Sequence, residues 1–177
     1  MKKNKIFVAC DTSNLNKVKK IIKYTKNKKL IVGYKFGLEF LNSKKGRIFI
    51  SKLKNEIKFG DYKLSDIPNT VRSSIKAVKD LKFNYITIHI NCGFKALIEA
   101  KNVIGNCKLV GVTTLTSLND KSLKEIGFDK KVKELVFHQA KLAKKAKLDA
   151  IVCSAQEVKI VKKVFKKEII TPGIRFN

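Results

Sequence analysis

A (β/α)8 barrel of the TIM type, incomplete at its C-terminal end, is the α/β fold this sequence predicts, and three observations predict it. Short runs rich in β-branched residues alternate with segments of helical spacing. The turn after the first run, Cys10-Asp11-Thr12-Ser13-Asn14, contains no glycine. Charged and polar residues collect at the C-terminal ends of several runs, at Asp11, Lys35, Asp61, Lys63, Thr113, Thr116 and Arg175. Alternation calls for a parallel sheet covered by helices. A doubly wound open sheet would need a glycine-rich phosphate turn after its first strand. A barrel instead brings all its strand ends to one mouth, where a site is built.

The elements follow in order. Strands are predicted at Ile6–Cys10, Leu30–Lys35, Ile57–Tyr62, Tyr85–Ile90, Lys108–Thr113, Ala150–Cys153 and Ile169–Thr171. Leu15, Val18 and Ile22 share one helical face, as do Val71, Ile75, Val78 and the stem of Lys82. Val132, Leu135, Val136, Leu142 and Ala146 form a third stripe. Asn14 suits a helix start, Gly105 and Gly127 suit helix ends, and a short extra helix is expected near Asp120–Ile126. Seven strands leave two open edges that an eighth would close. The expectation is one domain over 1–177, a truncated barrel ending in the loop after strand seven.

Composition excludes several classes. With 177 residues and 44% apolar residues, the chain can bury one sizeable core. No run approaches the roughly 18 apolar residues of a membrane span. Ile6 to Cys10 is too short for a signal peptide, so a cytoplasmic protein is expected. Cys10, Cys92, Cys107 and Cys153 lack paired spacing and read as reduced, packed thiols. The net charge of +26 invites nucleic acid as a partner, but its cations are nearly all lysine and spread along the chain. Only Arg47, Arg72 and Arg175 offer the bidentate fork that such recognition favours. No nucleic-acid or membrane partner is expected. His89 and His138 stand apart from any acidic cluster, so no metal site is expected.

Asp61-Tyr62-Lys63-Leu64-Ser65-Asp66-Ile67-Pro68-Asn69-Thr70 is the most informative stretch. On a regular strand, Asp61 and Lys63 point to one face, here the inside of the barrel mouth. Lys35 reaches the same place from the preceding strand. Charges there are costly unless paired. Spacing alone fits a salt-bridge network tying strand ends together as well as it fits a catalytic array. Pro68 is expected to stop the strand, with Asn69 or Thr70 capping the next helix.

This string resembles the signature of the orotidine 5′-phosphate decarboxylase family. Further matching strings follow in order: Asp11 after the first strand, Tyr34-Lys35-Phe36-Gly37-Leu38-Glu39, Ile88-His89, Val112-Thr113-Thr114-Leu115-Thr116-Ser117-Leu118, Val152-Cys153-Ser154-Ala155-Gln156-Glu157 and Thr171-Pro172-Gly173-Ile174-Arg175. The resemblance implies a decarboxylase of orotidine 5′-monophosphate that uses neither cofactor nor metal. It implies an array of Lys35, Asp61 and Lys63, completed by Asp66 from the neighbouring subunit of a homodimer. It further implies substrate contacts from Asp11, Ile67, Pro68, Asn69, Thr70, Thr116 and Arg175, the last on the phosphate side. The related hexulose-phosphate synthases share D-x-K-x-x-D but use Mg²⁺ with extra acidic ligands, where this sequence places Lys35. An inactive remnant or a basic nucleic-acid-binding protein is the rival from another class.

Overall fold

A computed structural model of the protein describes residues 5–27 and 29–174. Seven strands, β1 (Lys5–Ala9), β2 (Ile31–Phe36), β3 (Ile57–Leu64), β4 (Tyr85–His89), β5 (Lys108–Val112), β6 (Ala150–Val152) and β7 (Glu168–Ile170), form one sheet in chain order. Every neighbouring pair is parallel. Among the described residues, the sheet curls into a partial barrel of seven strands. Helices α1 (Leu15–Thr25), α2 (Leu38–Leu41), α3 (Gly46–Lys52), α4 (Pro68–Ala77), α5 (Phe94–Val103), α6 (Asp120–Glu125), α7 (Val132–Lys145) and α8 (Val158–Val164) connect the strands.

Local chemistry accounts for several boundaries. The Asn14 side chain accepts a hydrogen bond from Lys17 N at 3.1 Å and starts α1. Gly105 and Gly127 follow α5 and α6 in the left-handed conformation, at φ +66° and +86°. The expected cap at α4 is absent. Pro68 opens that helix as its first residue, Ile67 precedes it without a side-chain cap, and Asn69 and Thr70 lie inside the first turn. Proline's missing N–H costs nothing at that position and its fixed φ suits the first turn, so Pro68 opens the helix. Lys82 also leaves its expected place. The α4 helix ends at Ala77, and Lys82 sits beyond a short 3₁₀ turn with φ +50°.

The helices bury their apolar stripes against the outside of the sheet, where Val18, Ile75, Leu97, Val136 and Val161 are all buried. Inside the curl, Phe7, Phe59 and Tyr85 pack as an aromatic layer. Phe59 stacks on Tyr85 at 5.5 Å between ring centroids, and Phe7 meets each edge-on at 5.0 Å. Gly33 makes room for this layer, because a Cβ there would stand 2.9 Å from the Phe7 ring. Among the described residues, no helix is long and apolar enough to cross a membrane.

Beneath the aromatic layer, strand starts from both ends of the sheet meet. Glu168 of β7 accepts from Lys5 of β1 at 3.4 Å, from Lys108 at 2.6 Å and from Tyr85 Oη at 3.2 Å. Burial alone would raise the Glu168 carboxyl, but the bond from Lys108 and the charges of Lys5 and Lys108 hold it below its ordinary value. First and last strands are thus tied across the barrel floor. Glu168→Gln should therefore lower the free energy of unfolding by about 1 kcal/mol, read from urea melts, with the loss shrinking at high salt.

Candidate active site

At the opposite, C-terminal ends of the strands, four charged side chains converge. Lys35 Nζ, from β2, contacts both oxygens of Asp11 at 3.1 Å and reaches Asp61 Oδ2 at 3.3 Å. Lys63 Nζ donates to that same Asp61 oxygen at 2.7 Å. Asp61 is 7% exposed, so an unpaired charge there would be costly. Burial pushes its carboxyl up, while hydrogen bonds and charges from Lys63 and Lys35 outweigh this and hold it below the ordinary carboxylate value. Asp61 is therefore ionised at neutral pH.

Simple strand alternation does not explain how Lys63 gets there. In the pairing of β3 with β4, Gly60 faces Ile86 and Leu64 faces Ile88, so three residues of β3 oppose one of β4. Lys63 sits in this bulge with φ +48°, a left-handed conformation costing on the order of 1 kcal/mol for a residue with a side chain. Its N–H donates to Thr87 Oγ1 at 2.7 Å. The bulge, rather than a regular pleat, aims the ammonium back at Asp61.

The surroundings are shaped to match. A Cβ on Gly37 would run directly into the Asp11 carboxylate, so a larger residue there would push that carboxylate aside from its pairing with Lys35. Cys10, fully buried beside Asp11, has its thiol pushed up to about 12, chiefly by burial and further by Asp11, against the pull of Lys35. It stays protonated at neutral pH. His89, half-buried at the end of β4, is lowered from the usual histidine value by burial and by Lys63, against Asp61. Its imidazole is neutral at pH 7. A cavity of about 500 Å³ opens beside Lys63, with Ser65, His89, Asn91 and Thr113 as polar lining and Leu38, Leu115 and Phe128 as apolar wall. A larger cleft of about 990 Å³ adjoins it over β5–β7 and includes Thr116, Ser154 and Gln156.

The sequence-predicted residues thus divide. Asp11, Lys35, Asp61 and Lys63 come together. Asp66 is exposed and accepts from Ile67 N at 2.7 Å, while Ile67 is 65% exposed. Asn69 and Thr70 are exposed on the first turn of α4, and Thr116 is exposed in the larger cleft. Arg175 lies outside the described residues. Among the described residues, no group of three His, Cys, Asp or Glu side chains could hold a metal ion.

Two residues escaped the sequence reading. Thr87 is fully buried and donates to Asp61 Oδ1 at 3.1 Å. Gln139 is buried on α7, accepts from Thr114 N at 2.9 Å and donates to Asn91 at 2.7 Å. A signal existed for Gln139, a polar residue within the buried stripe of Leu135, Val136, Ala140 and Ala143. Thr87 gave none, since threonine is ordinary in a strand.

A parallel barrel with an alternating lysine–aspartate array at its mouth defines a TIM-type protein with a charged candidate site at the C-terminal ends of its strands. The model of the orotidine 5′-phosphate decarboxylase / HUMPS family matches residues 4–177, and the chain belongs to that family. It is 41% identical to the orotidine 5′-phosphate decarboxylase of Wolbachia pipientis subsp. Culex pipiens (strain wPip), an alignment covering 98% of this chain and 78% of that protein. The crystal structure of the Lactobacillus acidophilus orotidine 5′-phosphate decarboxylase superposes with a TM-score of 0.86 at 32% identity, covering 98% of this chain and 82% of that one. The fold is shared also with the Methanocaldococcus jannaschii orotidine 5′-monophosphate decarboxylase complexed with inhibitor BMP, at a TM-score of 0.82 and 24% identity.

Gly37→Ala should displace the Asp11 carboxylate and free Lys35, visible as a shifted Lys35 Nζ resonance with little change in melting temperature. For Asp61, whose folded value lies below its ordinary 3.8, ionisation adds stability above that value and the addition is lost as pH falls through the folded value. The stability of the parent relative to Asp61→Asn should therefore rise with pH through the acid range and level off above about pH 5 in denaturant melts.

Proposed function

We propose that this chain is an orotidine 5′-monophosphate decarboxylase, a carbon–carbon lyase forming UMP and carbon dioxide in pyrimidine biosynthesis. The observation that carries the reading is the single oxygen of Asp61 shared by Lys63 at 2.7 Å and Lys35 at 3.3 Å, on a family fold with a cavity beside Lys63. The relatives compared above carry the decarboxylase name, which favours this activity over the other reactions of the family.

The substrate carboxylate would lie against Asp61. Two like charges about 4 Å apart repel by roughly 4 kcal/mol at an effective dielectric near 20. That corresponds to only about three decades of rate. Stabilisation of the product side must supply the rest. As the bond from ring carbon 6 to the carboxylate breaks, its electron pair stays on carbon 6. The Lys63 ammonium attracts that pair and then transfers a proton to it, becoming an amine that solvent reprotonates. Neither step calls for a cofactor. Lys35 keeps Asp61 ionised and, with Asp11, contacts the ribose. Thr116 is assigned to the pyrimidine and Arg175 to the phosphate side. Ile67, Pro68, Asn69 and Thr70 are assigned to the substrate-binding edge.

Asp66 is exposed and accepts from Ile67 N rather than from either lysine of the Asp61 cluster, which supports its assignment to the site of a second copy in a homodimer. One domain over residues 1–177 and a cytoplasmic location belong to the same reading, the latter supported by four free thiols.

An absorbance assay with orotidine 5′-monophosphate tests the activity. The parent chain should turn the substrate over, and Lys63→Ala should slow it by at least about a thousandfold. An inert parent, or an unimpaired Lys63→Ala, contradicts the reading. Mixing Lys63→Ala with Asp66→Ala tests the shared site, because a mixed dimer holds one intact site. Roughly a quarter of parental activity is then expected after subunit exchange, and none from either variant alone.

A further inference from the structure

Thr87 is fully buried on β4, directly opposite the bulge that carries Asp61 and Lys63. Its hydroxyl has one proton and two lone pairs. An ionised carboxylate can only accept, so the proton goes to Asp61 Oδ1 at 3.1 Å. A lone pair then takes the N–H of Lys63 at 2.7 Å. With Oδ1 held in this way, Oδ2 is the oxygen left facing Lys35 and Lys63. We propose that Thr87 is a positioning residue of the decarboxylase site, its single hydroxyl orienting both the Asp61 carboxylate and the Lys63 backbone.

The proposal rests on the decarboxylase reading of this mouth. Both contacts are needed for what Thr87 does. The bond to Oδ1 fixes the plane of the carboxylate, which would otherwise turn and exchange its oxygens between the two ammoniums. The bond from Lys63 N replaces the ladder partner that the bulge removes, and so holds a left-handed residue that a strand would ordinarily straighten. A threonine does this better than a mobile side chain because branching at Cβ restricts its rotamer. No atom of Thr87 need touch the substrate. Its effect passes through the two residues it holds.

Valine is the matching test, since it keeps the shape and removes the hydroxyl. In Thr87→Val, kcat should fall roughly tenfold to a hundredfold while KM stays within about threefold, because orientation for the reaction is lost rather than substrate binding. The Asp61 carboxyl, followed by carbon-13 NMR among its titratable neighbours Lys35, Lys63, Asp11 and the neutral His89, should titrate about one pH unit higher for want of a bond to its ionised form. Thr87→Ser should restore both readouts. An unchanged Asp61 titration in folded Thr87→Val, a raised KM with unchanged kcat, or a serine variant no better than valine overturns the proposal. If the parent fails to turn over orotidine 5′-monophosphate, the decarboxylase reading falls, and the Asp61 titration alone decides whether Thr87 orients the array. If valine prevents folding, Thr87→Cys, similar in size and a much weaker donor, takes its place.

Discussion

Two ammonium groups compete for one oxygen of Asp61, and a third donor holds the other oxygen. The rest of the mouth is arranged around that carboxylate. Buried alone, it would protonate, and the lysines would repel each other across the gap. Buried together, the three make a polarised unit whose charges are fixed before any ligand arrives. Such preorganisation costs nothing at the moment of reaction, because the protein has already oriented its dipoles in folding. The cost is met earlier, in the left-handed backbone at Lys63 and in the desolvation of Asp61.

The interior supports this arrangement in layers. Lys5, Tyr85, Lys108 and Glu168 form a polar floor that ties the two ends of the sheet. Phe7, Phe59 and the Tyr85 ring fill the middle. The charged array stands on top. Each layer uses alternate residues of the same strands, so Phe59 and Asp61 on β3, and Tyr85 and Thr87 on β4, serve adjoining layers. The aromatic layer keeps water from the underside of the charges, which strengthens every interaction above it.

Much of this was legible in the sequence because it depends on periodicity and residue type. The alternation of strand and helix gave the parallel sheet, the missing glycine after β1 favoured the barrel, and glycines marked the ends of α5 and α6. Asp61 and Lys63 were recognised as neighbours, but for an incomplete reason. A regular pleat was expected, whereas the two meet through a bulge, a feature that depends on the register of β3 against β4 and leaves no trace in β3 itself. The same register explains why Thr87 stayed hidden. Caps at Asn69 or Thr70 were expected from side-chain preference, and the ability of Pro68 to open a helix without one prevailed. Lys82 fitted a helical stripe by spacing, yet α4 stops before it and the backbone turns left-handed.

The central claim is that a fixed ammonium waits where negative charge develops on the ring. It is tested most directly by comparing, by calorimetry, UMP with a UMP analogue bearing an anionic oxygen on ring carbon 6. The account predicts that the anionic analogue binds at least about a hundredfold tighter, and that Lys63→Ala abolishes the difference. Equal affinities in the parent chain would contradict it.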